Sequence, residues 1–242
     1  MSAPPAFSED GAVDPLIAKA RQETESFTAT LPDYICQQFT SRFVSGARLK
    51  WLKLDVVSAD VVYERGGESY RNVAINGKPA ATGMDGLSGT WSTGEFASGL
   101  RALFAAATAT EFRFRRNAKA AGMPAAIYDY RVRRENSHWK LQAAPQTLLA
   151  AYEGSIWIDL EAGRALRIES KARDLPPGFP ISKAETVTDY GYVRIGGAQR
   201  YLLPAHSEAV LCERVSSLCS RNVIDFRNYK KYVAEASIVF DK

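Results

Sequence analysis

Glycine- and asparagine-rich turns, each flanked by runs that alternate apolar and polar residues, constrain this chain more than any other feature. Gly66-Gly67 stands between residues 49–64 and 68–75, and Asn76-Gly77 follows directly. Glu161-Ala162-Gly163 separates 151–159 from 164–173, and Gly196-Gly197 separates 185–195 from 200–212. Glycine and asparagine accept the positive φ of tight hairpins, so the runs they join pair antiparallel with their sequence neighbours. Alternation continues over 34–44, 111–118, 125–134, 139–144, 219–228 and 232–240, with a turn at Glu135-Asn136-Ser137 and a break at residues 176–180. No helical stretch is frequent enough for βαβ crossovers. About ten strands in one sheet twist strongly and curl toward a barrel.

Two segments depart from the period of two. Asp14 and Pro15 form a helix start, an N-cap followed by proline in the first turn, and Leu16, Ala20, Phe27 and Leu31 then share one face up to Pro32. Ser92 and Glu95 form a capping box, and Phe96, Leu100, Leu103 and Phe104 continue as a face, so a second helix is predicted over 93–106. The expected fold class is α+β, mostly β: a large curved antiparallel sheet, an unclosed half-barrel, covered on one face by two amphipathic helices. Residues 1–13, with Pro4 and Pro5, read as a disordered N-terminal arm, and 14–242 as a single domain. The glycine-rich stretch 77–91 reads as a long loop of the kind that forms lids or binding loops.

A chain of 242 residues buries a sizeable core without staples, and a net charge of +4 does not by itself imply nucleic acid. The longest apolar runs fall short of a membrane span. Residues 1–7 lack the charged-then-apolar pattern of a signal peptide, which fits either a cytoplasmic protein or the mature part of an exported one. Cys212 and Cys219 flank a short polar stretch; on a hairpin their sulfurs would lie opposite and a disulfide could close, while two buried free thiols fit the spacing equally well. Cys36 reads as a small buried strand residue.

Catalytic and metal-binding patterns are absent from the sequence. Its two histidines, His138 and His206, have no ligand-spaced partners, and neither a nucleophile elbow nor a phosphate loop occurs. The expectation is therefore no enzyme, no metal and no cofactor. Aromatic side chains in strands are the candidate ligand contacts: Phe112, Phe114, Tyr128, Tyr130, Trp157, Tyr190 and Tyr192, although core and cross-strand packing is the commoner role for any one of them. Arg113, Arg115, Arg131 and Arg133 alternate with apolar residues, giving a solvated outer face or, in the rarer case, a cationic patch for lipid headgroups. Those rows carry no nucleic-acid motif.

One ordered set of segments has a likeness. Leu31-Pro-Asp-Tyr-Ile-Cys-Gln-Gln38, Ser92-Thr-Gly-Glu-Phe96, Ser137-His-Trp139, Tyr152-Glu-Gly-Ser-Ile-Trp-Ile-Asp159, Gly163-Arg-Ala-Leu-Arg-Ile-Glu169, Pro177-Gly-Phe-Pro-Ile181 and Tyr201-Leu-Leu-Pro204, with residues 222–240, resemble an uncharacterised family of exported bacterial proteins. The order of elements, and the strand–turn–strand 156–169, are distantly similar to the periplasmic lipoprotein carriers of the LolA-type fold. That resemblance implies an unclosed barrel capped by helices, a periplasmic or secreted location with any leader removed, and no membrane span. It further implies a lipid or lipoprotein acyl chain as ligand, bound by a carrier or sensor. An envelope module that recognises a protein partner, with no small-molecule ligand, is the alternative.

Overall fold

The computed structural model describes residues 14–46, 50–87, 98–197 and 199–232. The expected arm, the capping box at Ser92 and Glu95, Phe96, and the expected strand beyond Tyr232 lie outside these residues. Helix α1 spans Pro15–Thr30 and is followed by β1 (Tyr34–Ser45), β2 (Leu52–Glu64), β3 (Gly67–Ile75) and the short β4 (Lys78–Pro79). Helix α2 (Ser98–Phe104) precedes β5 (Glu111–Ala120), β6 (Met123–Val132), β7 (Lys140–Ala143), β8 (Gln146–Leu149) and β9 (Ala151–Asp159). The chain continues through β10 (Ala165–Arg173), β11 (Ile181–Arg194), β12 (Arg200–Glu213) and β13 (Cys219–Lys231).

Eleven strands form one sheet in the order β4-β3-β2-β1-β13-β12-β11-β10-β9-β6-β5. Every described pairing in it is antiparallel, from Glu111↔Arg131 at one edge to Ile75↔Lys78 at the other. The sheet is therefore an open half-barrel. Hairpins account for most neighbours, but the β1–β13 pairing (Thr40↔Ile224) joins strands from opposite ends of the chain. The β6–β9 pairing (Tyr128↔Ile156) skips the β7–β8 hairpin.

Some expectations need correction. The turn after β2 is Arg65-Gly66, both with positive φ, so Gly67 opens β3 instead of sitting in the loop. Asn76 and Gly77 adopt φ of 49° and 77°, the pair of left-handed conformations that a two-residue hairpin needs. The run 139–144 alternates but does not join the large sheet; β7 pairs only with β8 in a separate two-stranded ribbon. The run 219–228 extends as β13 to Lys231, past its expected end.

Alternation gives the sheet two different faces. The outer face carries an ion-pair lattice: Arg113 and Arg115 approach Asp129 at 3.2 and 3.3 Å, Arg131 approaches Glu153 at 3.6 Å, and Arg133 approaches Glu111 at 2.8 Å. The four arginines are thus matched by acids across the strands, the pattern of a solvated face rather than a free cationic patch. Glu153 also receives Lys171 at 2.9 Å and Arg173 at 3.0 Å. Burial opposes its ionisation, but Lys171, Arg173 and Arg131 outweigh that and hold its carboxyl below the usual range.

Both helices lie on the inner face. Ile17 and Ala20 of α1 join Leu100, Leu103 and Phe104 of α2 in a cluster with Tyr128, Tyr130, Val132, Ile156 and Ile158. Farther along α1, Phe27 packs on a second cluster built around Tyr34, Val61, Leu203, Ile224 and Phe226. Asp14 secures the start of α1 twice: one carboxylate oxygen accepts from the Leu16 amide at 2.8 Å, and the other accepts from the Tyr128 hydroxyl at 2.9 Å. Such caps contribute about 1 kcal/mol. Arg21 of α1 donates to the Phe104 carbonyl at 3.1 Å, which satisfies a group at the end of α2. The sequence thereby places two short helices across one curved surface and ties them to each other.

Candidate functional site

Between α2 and the inner face lies a cavity of about 530 Å³. Its apolar side is made by Leu100 and Leu103 of α2, Trp139, Tyr152 and Ile168, and its floor by Tyr130, Ser170, Thr186, Thr188, Tyr190 and Ser207. Gly66, Glu68 and the exposed His138 contribute to the lining as well. The floor residues come from neighbouring strands at matching register: Ser170↔Thr186 and Ile168↔Thr188 across β10–β11, then Thr188↔Ser207 across β11–β12.

One residue without a side chain shapes this floor. Gly154 of β9 stands opposite Tyr130 of β6. The Tyr130 ring crosses over it and reaches β10, where its hydroxyl donates to the Glu169 carbonyl at 2.8 Å and lies 2.5 Å from the Ser170 hydroxyl. A Cβ at position 154 would sit on the Glu169 carbonyl oxygen and 2.8 Å from the Tyr130 hydroxyl. Glycine inside a strand is unfavourable for the strand itself, and here it permits the close approach. Tyr130 is 1% exposed, and burial raises its phenol far above the ordinary range. Burial alone pushes the Tyr152 phenol up to about 12. Both rings therefore stay neutral.

Two more of the floor hydroxyls are held by protein oxygens. Ser207 donates to the Val187 carbonyl at 2.8 Å and lies 3.1 Å from the Thr188 hydroxyl. Elsewhere on the inner face, Arg42 and Asp55 form a bidentate pair at 2.6 and 2.5 Å with side chains 11% and 15% exposed. Gln38 donates to Thr40 at 3.1 Å, and its own oxygen has no partner among the described residues. His206, next to Ser207 in β12, is not among the cavity-lining residues and faces Asp225 at 3.0 Å, a pair partnered across β12–β13. Among the described residues no group of His, Cys, Asp and Glu could hold a metal ion.

The chain is similar to several solved structures. No family model matches it, and no curated protein does. A putative outer membrane lipoprotein-sorting protein domain from Vibrio parahaemolyticus is 11% identical with a TM-score of 0.43, covering 88% of this chain and 90% of that one. A LolA superfamily protein from Nitrosomonas europaea is 14% identical with a TM-score of 0.40, covering 93% and 96%. A DUF1329 family protein from Desulfovibrio piger is 9% identical with a TM-score of 0.44, again covering 93% and 96%.

Of the seven aromatic candidates, the structure brings Tyr130 and Tyr190 to the cavity. Phe112 and Tyr128 serve the helix–sheet packing: Phe112 stacks on Phe104 at 5.5 Å, and Tyr128 holds Asp14. Phe114 sits edge-on to Tyr128 and is 50% exposed, while Tyr192 is 36% exposed. Trp157 alternates with the buried Ile156 and Ile158 and carries the Arg167 guanidinium 5.5 Å above its ring, so it belongs to the outer face. Trp139, Tyr152, Ile168 and the hydroxyl row Ser170, Thr186, Thr188, Ser207 were not singled out from the sequence. Gly154, an isolated glycine inside an apolar strand, was the available signal for the close approach above it. Cys212 and Cys219 stand opposite each other and are joined, with Cα atoms 4.0 Å apart. Cys36 is buried, and its thiol is pushed up to about 12, chiefly by that burial.

Proposed function

We propose that this protein is a non-enzymatic cell-envelope protein that binds an apolar or lipid-like ligand beneath α2. One observation carries the reading: a cavity of about 530 Å³ separates α2 from the sheet, with Leu100, Leu103, Trp139, Tyr152 and Ile168 on its apolar side. Its size falls within the range of small-molecule sites, and apolar walls with a few polar groups are their usual make-up. Binding is favoured over turnover because the floor hydroxyls of Ser207 and Tyr130 are held by backbone carbonyls, and a general base is not what orients them. The Cys212–Cys219 bond supports a periplasmic or secreted location, since such bonds persist in oxidising compartments. A lipid or a lipoprotein acyl chain is the ligand class that fits these walls, with the protein acting as carrier or sensor.

Native mass spectrometry of the protein purified from its host, together with titration of the apolar dye N-phenyl-1-naphthylamine, tests the reading. Co-purified lipid and saturable dye fluorescence are expected. A protein that is consistently empty and leaves the dye dark would refute it.

A further inference from the structure

We propose that one end of the half-barrel docks on an anionic lipid bilayer, through the loop between β12 and β13 and the segment that enters β2. This surface is separate from the cavity, which none of Leu52, Leu54, Val215 and Leu218 lines. Those four large apolar side chains are all exposed, Val215 at 96% and Leu52 at 66%. The register gathers them at one end. Ser45 pairs with Cys219 and Val44 with Leu52, so β1 lies between the loop and β2. A methyl group added at Gly46, just past the end of β1, would touch Leu218. Along β2 the register jumps from Arg42↔Asp55 to Phe43↔Lys53, which makes Leu54 the extra residue of a bulge. Bulges re-aim a side chain, and Leu52, Lys53 and Leu54 are exposed in succession, where plain alternation over a core would bury one parity.

The loop that carries Val215 is tightly tied. The Cys212–Cys219 bond closes its base, and the Glu213 amide donates to the Leu218 carbonyl at 2.8 Å. The Arg214 amide donates to the Pro180 carbonyl at 2.7 Å, and its guanidinium donates to the carbonyls of Pro176, Phe179 and Ile181. Ser216 donates to the Glu213 carboxylate and accepts from the Leu218 amide at 3.1 Å. These bonds turn polar groups inward and hold an apolar tip in water, an unfavourable placement until something covers it. Charge decides what covers it. Lys50 and Lys53 are exposed with no carboxylate partner among the described residues, and carbonyls leave the Arg214 charge unneutralised. Glu213 is the only acid between positions 212 and 219. Apolar tips flanked by lysines match both layers of an anionic bilayer surface, phosphates for the ammonium groups and acyl chains for the tips. A bilayer also demands no matching groove and no hydrogen-bond donor, which suits a protruding loop whose amides at Glu213, Arg214 and Leu218 are engaged.

Co-sedimentation of the intact protein with vesicles tests the proposal, using phosphatidylethanolamine with about 30% phosphatidylglycerol and, in parallel, phosphatidylcholine alone. The anionic vesicles should bind about tenfold better or more, an advantage that shrinks as salt is raised. Val215→Asp should weaken their binding about tenfold, while Val215→Leu, which keeps the apolar tip, should bind as wild type does. Lys50→Gln together with Lys53→Gln should cost about twentyfold, roughly fivefold for each charge. All these changes replace exposed side chains, so folding should be retained. Wild type that ignores anionic vesicles, or binds both kinds equally, would overturn the proposal, as would Val215→Asp and lysine variants that bind like wild type. So would a protein that stays off vesicles and sediments as a dimer that Val215→Asp dissolves, since the surface would then belong to a second copy of the chain.

Discussion

Gly154→Ala is the smallest change that should disturb both the sheet and the cavity floor. The added methyl group meets two atoms that cannot easily withdraw. One is the Glu169 carbonyl oxygen, part of the backbone of β10, which pairs with β9 on one side and β11 on the other. The other is the Tyr130 hydroxyl at 2.8 Å, at the end of a ring set between Phe112 at 6.3 Å and Tyr152 at 6.2 Å. Overpacking a core of this kind costs about 1–3 kcal/mol. Displacing Tyr130 also breaks its bond to Glu169, worth about 1 kcal/mol. The expected loss is about 3 kcal/mol, which in a chain of this size lowers Tm by about 6–12 °C. Urea unfolding followed by far-UV circular dichroism measures the loss, and an unchanged m-value checks that the unfolding transition is comparable. Tyr130→Phe, which keeps the ring and drops only the hydroxyl, should cost about 1 kcal/mol. A Gly154→Ala protein within about 0.5 kcal/mol of wild type would be in the range of ordinary surface substitutions, and it would refute the close approach.

Two further outcomes follow from the covalent and ionic contacts. The Cys212–Cys219 bond closes a short loop, with a sequence separation of 7, so replacing both cysteines with serine should lower stability by about 2 kcal/mol in calorimetry, and an excess of reductant should lower the wild type similarly. Glu153 is held below its ordinary range in the folded state, where burial is outweighed by Lys171, Arg173 and Arg131. Its contribution is present above the unfolded carboxylate range and is lost as pH falls through the folded value, so Glu153→Gln should flatten the acid limb of the stability–pH curve. A variant curve that runs parallel to wild type through that limb would count against this assignment.

Strand positions were legible because the information is local. Period-two alternation and a positive-φ dipeptide at Asn76-Gly77 are properties of a few adjacent residues, and Ala151–Asp159 lies where its pattern put it. Pairing across distance was not legible. Nothing in residues 34–44 or 219–228 announces that β1 and β13 lie side by side, because any two amphipathic strands satisfy the same alternation. The run 139–144 shows the same limit: it alternates, yet β7 closes on β8 alone. Candidate site residues suffered from parity. In Ile156-Trp157-Ile158 all three are apolar, so the sequence offers no sign of which face each takes, and the tryptophan took the outer one. The hydroxyl row was hidden for a different reason. Threonine and serine are ordinary strand residues, and only the register of β10, β11 and β12 aligns Ser170, Thr186, Thr188 and Ser207 beneath one helix.

That alignment determines which substitution can separate fold from function. Tyr130 belongs to both: it is 1% exposed in the cluster beneath the helices, and it also forms part of the cavity floor. Removing its hydroxyl frees the Ser170 proton while leaving the Glu169 carbonyl without its side-chain donor, so weaker ligand binding would have two explanations. Thr188 differs. Its proton goes only to Ser207, whose oxygen is already fixed by its own bond to Val187. Thr188→Val therefore removes one acceptor from the floor and leaves no backbone group unpaired. A change in dye affinity at unchanged stability in that variant would be a property of the cavity rather than of the sheet that holds it.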